Sequence, residues 1–275
     1  MPMRHLSAVV ILFLLFLWTG LVNGADLSGK LTIQVGGREQ GIFEKSTLKF
    51  EKQNPKVRTR TVELEGSDPL AALKEGTADI AVLGRSLSPA EKDLSATVVG
   101  WEGIAVMVNA SNRVGEASLN QISDIFTGKA KTWDELGGLE SRISVIGREE
   151  GKGVQPYFVQ LLNLDSNLIK AKVVEPDKEA IKVVAGSLNA VSYLNLNLGL
   201  GNVSVGVPIR LLTINKVEPE PANVSSGAYP LRRPILLVTA NPPSPVAKAF
   251  IDFMLEKDGQ KIVQEEDFVP LLVTK

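Results

Sequence analysis

The sequence predicts an α/β fold, and three observations lead to that prediction. Short β-branched runs alternate with capped helical segments along nearly all of the 275 residues. Cysteine is absent, so the fold has to rest on a hydrophobic core of real size and not on disulfides. No internal repeat or low-complexity tract interrupts the alternation.

Residues 1–24 have the layout of a signal peptide. Arg4 gives a positive start, Ala8 to Trp18 an apolar core, and Val22-Asn23-Gly24 small residues at the cleavage positions. That core is short for a membrane span, and no comparable run follows. The expected product begins near Ala25, is exported to the periplasm, and is soluble and monomeric. No cysteine follows the cleavage site to carry a lipid.

Processing also removes His5, the only histidine, so the mature chain has neither His nor Cys. Cysteine nucleophiles, Ser-His-Asp triads and the usual N/S zinc sites are thereby excluded. A binding protein without a cofactor is expected, not an enzyme. The net charge of −1 and an aromatic content of 5% argue against nucleic acid as a partner.

In order, Leu31 to Val35 reads as a strand and about Gly41 to Gln53 as a helix, stopped by Asn54-Pro55. Val57 to Leu64 is a second strand, Gly66-Ser67-Asp68-Pro69 opens a short helix through Lys74, and Ala78 to Leu83 is a third strand. Ser88-Pro89-Ala90-Glu91 is a capping box that predicts a helix start. Val98 to Asn109 is long enough to leave one sheet and enter another. Ser118 to Gln121 is a second capping box, and its helix carries Leu119, Ile122, Ile125 and Phe126 on one face before ending at Gly128. Strands are expected near Lys172–Val174 and Ala190–Leu194, and a loop over the Gly- and Asn-rich stretch Leu198 to Val207. The final strand is Ile235–Thr239. Ser244-Pro245 then caps a helix bearing Val246, Phe250, Phe253 and Met254. Such βα alternation implies parallel sheets covered by helices.

The richest stretch is Ile143 to Val154. A β-branched run ends at Gly147-Arg148, passes Gly151-Lys152-Gly153, and restarts as a helix over Gln155 to Leu162. A glycine turn between strand and helix directs backbone N–H groups at one spot that suits an anion. Arg148 adds a bidentate donor that keeps its charge. A nucleotide-binding P-loop is absent: Gly147 to Gly151 is one residue short, and Gly153 stands where Ser or Thr would follow Lys152. The Asn-x-Ser sequons, the acidic clusters Glu149-Glu150 and Glu265-Glu266-Asp267, and Trp133 read as chance, solvated faces and packing respectively.

Three segments resemble the periplasmic phosphate-binding proteins of phosphate ABC transporters, in their short form. They are Gly103 to Asn109 with Leu119 to Gly128 and Trp133 to Gly138; Arg148 to Val154; and Tyr229 to Pro234 with Ala249 to Leu255, Gly259-Gln260 and Phe268 to Leu271. The resemblance implies a two-domain periplasmic-binding-protein-like fold with a hinge and a central cleft. Domain one would hold residues 25–100 plus 230–275, and domain two residues 101–229. It also implies phosphate or a related oxyanion as ligand and an ABC transporter permease as partner.

The family's anion contacts come from four loops, and each departs from the pattern here. Gly36-Gly37-Arg38-Glu39 lacks the usual hydroxyls, Gly66-Ser67 keeps one, and Gly84-Arg85 replaces a Ser-Arg. The fourth loop keeps Arg148, Gly151 and Gly153 but has Lys152 for Ser and Val154 for Thr. Expected ligand contacts are Gly37, Arg38, Ser67, Arg85, Arg148, Lys152, Gly153 and Val154, with Arg148 the main charged contact. The lost hydroxyls keep a second reading open, a relative that acts through periplasmic protein contacts without binding phosphate.

Overall fold

The structure, a computed structural model, describes residues 27–63, 69–169 and 171–271. The expected signal peptide and Ser67 lie outside the described residues. Among the described residues, no helix is long and apolar enough to cross a membrane.

The first half runs β1 (Ser28–Val35), α1 (Gln40–Gln53), β2 (Lys56–Glu63), α2 (Pro69–Lys74), β3 (Ile80–Leu83) and β4 (Ser95–Asn109). There follow β5 (Glu116–Ala117), α3 (Leu119–Thr127), β6 (Ser144–Gly147), α4 (Gln155–Leu161), β7 (Lys172–Val173), α5 (Asp177–Gly186) and β8 (Ala190–Asn195). The last part contains α6 (Leu196–Ser204), β9 (Ile209–Leu211), β10 (Thr213–Ile214), α7 (Pro221–Ser226), β11 (Arg232–Thr239), α8 (Pro245–Leu255) and α9 (Lys257–Glu265).

The strands follow the order β2-β1-β3-β11-β4-β8-β6-β7, with β9 also against β4. β1 is parallel to β2 and β3, and β6 is parallel to β7 and β8. Around the middle the sheet is antiparallel: β11 pairs this way with β3 and β4, and β4 with β8 and β9. The expectation of parallel sheets therefore holds only away from β4 and β11. These two strands run between the halves in opposite directions, so each lies antiparallel to its partners.

Two large cores form on either side. One gathers Ile33 of β1, Phe43 and Phe50 of α1, Ile235 of β11, and Phe250 and Phe253 of α8. The other gathers Ile104 to Val108 of β4, Phe126, Trp133, Phe158 of α4 and Tyr193 of β8. α1 buries Ile42, Phe43, Ser46, Thr47 and Phe50, the spacing of one helical face. In the second core the Phe158 and Tyr193 rings stack at 3.8 Å, and Phe126 meets Phe158 edge-on. β4 belongs to both: its first part pairs with β11 and its last residues with β8 and β9.

Several local expectations hold. Ser118 and Gln121 form the capping box of α3, and Gly128 closes it in the left-handed region at φ 72°. Ser244 caps α8. Trp133 is a packing residue, its indole N–H donated to the Asn189 carbonyl. Two expectations are corrected. Ser88–Glu91 forms its capping box but makes only a 3₁₀ turn over Pro89–Glu91, because β4 begins a few residues later at Ser95. The stretch read as a loop from Leu198 is mostly helix α6. Asn195 accepts from the Leu198 N–H at its start, and Gly199 packs against Leu211, where a side chain would crowd.

Candidate functional site

A cleft of about 720 Å³ opens between the two cores. One wall is the turn after β1, Gly36-Gly37-Arg38, with Glu63 at the end of β2; the other is Glu150 to Gly153 with Pro156 and Tyr157 of α4. Both walls are glycine turns leading into helices. Gly151 and Gly153 sit at φ 76° and 56°, a backbone state that other residues enter only with strain. Among the described residues, the N–H groups of Gly37, Arg38, Gly153 and Val154 donate to no protein acceptor.

A buried ion cluster lies behind the first wall. Arg233 of β11 faces Glu102 of β4 across the ladder. Its Nε donates to Glu102 Oε2 at 2.7 Å, and its Nη1 contacts Glu39 Oε1 at 2.5 Å. All three side chains are buried. Glu102 also accepts from Arg38 Nε at 2.8 Å and Asn195 Nδ2 at 3.0 Å. Burial alone would raise the Glu102 carboxyl, but Arg233 and Arg38 outweigh it and hold it below the ordinary range. Burial likewise opposes the charge on Arg233, and Glu102 and Glu39 more than offset that, leaving its pKa above the usual arginine value. Two arginines and two carboxylates thus balance within one cluster.

The expected ligand residues are placed unevenly. Gly37, Arg38, Lys152 and Gly153 line the cleft. Val154 is buried beneath its loop as the residue preceding α4. Arg85 lies outside the cleft lining, its guanidinium held in a fork by both Glu91 oxygens at 2.8 Å. Arg148 lines a separate pocket of about 170 Å³ with Tyr193 and Gln155. Its side chain is 5% exposed and bound to Glu175 through Nε at 3.0 Å and Nη2 at 2.5 Å, with Asp177 at 2.9 Å. Its buried Nη1 has no hydrogen-bond partner among the described residues. Lys152 is largely exposed and pairs with Glu149 at 3.0 Å. Among the described residues, no group of three His, Cys, Asp or Glu side chains could hold a metal.

Residues 23–258 match the family model of the PBP superfamily domain. The chain belongs to this superfamily. This PBP-superfamily chain is 29% identical over 253 residues to the phosphate-binding protein PstS of Bacillus subtilis (strain 168), covering 89% of this chain and 81% of the relative. A phosphate ABC transporter substrate-binding protein from Clostridium perfringens, solved with bound phosphate and described as putative, superposes with a TM-score of 0.65 at 27% identity. That match covers 89% of this chain and all of the other, 100%. An ABC-type phosphate transport receptor from Vibrio cholerae shares the fold, with a TM-score of 0.79 at 23% identity over 88% of this chain and 99% of that one.

Sequence reasoning misses the inner part of this PBP-superfamily site. It does not single out Glu39, Glu102, Tyr157 or Arg233, although one signal is present. Glu102 is a lone charge within an otherwise apolar strand pattern, and a charge buried in a sheet needs an opposite charge beside it; Arg233 shares its strand with Arg232 and stands out less. Glu63 and Glu150 carry no such signal, because a single acid at a strand end and one of an adjacent acidic pair at a turn both resemble a solvated surface.

Proposed function

We propose that this chain is an exported receptor that holds phosphate or a related tetrahedral oxyanion in the cleft and delivers it to an ABC importer permease. The observation that supports this best is the pair of facing glycine turns, whose Gly37, Arg38 and Gly153 N–H groups border one cleft and have no acceptor among the described residues. Preorganised N–H groups of this kind are the donors that a compact oxyanion needs. Relatives named for phosphate binding and transport support the same ligand class. In this reading the two cores are two domains, with crossings near Gly100 and Tyr229. They close on the ligand by a hinge in β4 and β11, and Arg148 offers a donor from behind the second wall, its Nη1, which has no hydrogen-bond partner among the described residues.

A second reading is favoured by the pairing of the cations. Arg38, Arg148 and Lys152 each carry an internal carboxylate partner, and Glu39 sits at the start of α1 where an anion would be drawn. Under that reading the cleft no longer takes phosphate and the chain acts through protein contacts. Calorimetric titration of phosphate and sulfate into the purified protein decides between the two. Saturable binding of either supports the receptor, and no binding of any oxyanion supports the second reading.

A further inference from the structure

The charges in the cleft are arranged for more than a bare anion. Its lining cations are both engaged, Arg38 with Glu102 at 2.8 Å and Lys152 with Glu149 at 3.0 Å. The lining carboxylates are not: Glu63 and Glu150 are exposed and have no hydrogen-bond or ion-pair partner among the described residues. One comes from each wall. A ligand that brought only negative charge would place it near two uncompensated carboxylates, a repulsive arrangement. The cleft, about 720 Å³ as it stands open, leaves room for an organic chain beside one tetrahedral ion.

Building on the oxyanion reading above, we propose that the preferred ligand is a zwitterion. It would be a small organic phosphonate or phosphate monoester that also carries an ammonium group. The oxyanion end meets the N–H groups of Gly37, Arg38 and Gly153. The ammonium end lies between Glu63 and Glu150, where its three donors serve both carboxylates at once. A divalent cation bridging the two acids is the less suitable occupant, since no third ligating side chain joins them among the described residues.

Calorimetry of the purified chain with aminoethylphosphonate, ethylphosphonate and inorganic phosphate tests this, because the first two differ only by the ammonium. Two partly screened ion pairs should make aminoethylphosphonate bind about tenfold tighter than ethylphosphonate. The double variant Glu63→Gln, Glu150→Gln should bring the two within about twofold. Both side chains are exposed, so an unchanged Tm should show that this variant keeps its fold. Equal affinity for the two phosphonates in the unmodified protein overturns the zwitterion proposal and leaves the oxyanion reading standing. A preference that survives the double substitution overturns the assignment to these two acids. Failure of all three compounds to bind overturns the oxyanion reading as well.

Discussion

The Arg233 guanidinium carbon lies 3.5 Å from the centre of the Tyr157 ring. Arg233 belongs to β11, where the cores meet, and Tyr157 projects from α4 of the second core, so this contact ties the cleft wall to the strands shared by both cores. Gly84, at the end of β3, lies beside both groups. A cation over an aromatic face contributes about 0.5–2 kcal/mol, more as water is excluded.

Gly84→Ala should therefore disturb this contact, because the added methyl would overlap the Arg233 guanidinium and press on the Tyr157 ring. A loss of about 1–3 kcal/mol in urea denaturation is expected, the usual range for forcing volume into a packed site. Tyr157→Leu, which keeps apolar bulk but removes the ring, should lose about 1 kcal/mol.

Arg233→Ala should be the most damaging single change in the cluster. It would leave Glu39 and Glu102 as buried carboxylates without this partner, and breaking a buried pair in this way costs about 3–5 kcal/mol. Pairing Arg233→Met with Glu102→Gln should recover part of that loss. Chemical denaturation of the three proteins measures both effects.

Arg148→Ala and Lys152→Ala should separate. Arg148 is nearly enclosed and bound to Glu175 and Asp177, so its removal should lower stability by about 1.5–3 kcal/mol. Lys152→Ala should stay within about 0.5 kcal/mol, as for an exposed ion pair. Phosphate affinity, followed by calorimetry, should also fall further for Arg148→Ala than for Lys152→Ala. Equal losses would assign the site to diffuse charge.

Stability should fall as the medium becomes acidic. Glu91, bound first by Arg85 and then by the Ser88 N–H, is held down from 4.5 to about 2. The Thr59 N–H and hydroxyl lower Glu51, and the Lys131 and Thr132 N–H groups lower Glu135. A carboxylate whose folded pKa lies below its unfolded one contributes fully above the unfolded value and loses that contribution as pH falls through the folded one. Tm should thus be flat from neutral pH to about 5 and decline between about 4.5 and 2. Glu91→Gln should make the lower part of that decline shallower.

Closure of the cleft should be visible in solution. With saturating ligand, small-angle scattering should give a smaller radius of gyration, since a ligand touching both walls shifts the population toward the closed form. An unchanged radius alongside measured binding would exclude a moving hinge.

The fold is legible where local chemistry is self-sufficient. Capping residues such as Ser118, Gln121 and Ser244 mark helix starts through bonds to their own neighbours, so a single sequence carries them. α6 escapes such reading because Gly199 and Gly201 suggest a turn, whereas Gly199 is there to admit Leu211, which comes from strand β9. The cleft is half legible for the same reason. Gly37, Arg38, Lys152 and Gly153 sit on turns that are visible as glycine patterns. The Arg233–Glu102 pair forms only when β11 returns beside β4, across 131 positions of sequence. Arg148 is visible as a charge after a strand, but Glu175 and Asp177 reach it from the start of α5, a helix that the sequence pattern does not announce.

The shared strand β4 also governs the order of assembly. The core around β1 and α1 needs Ile235, Phe250, Val263 and Phe268, all near the end of the chain. The other core is nearly complete once residues 104–231 are present. Contacts between distant positions form more slowly than local ones. Phe43 and Phe50 of α1 should therefore be covered only when α8 arrives, after the middle of the chain has met its own partners. The earlier portion of these residues should thus be the later one to be buried, and its waiting apolar face is where aggregation would begin.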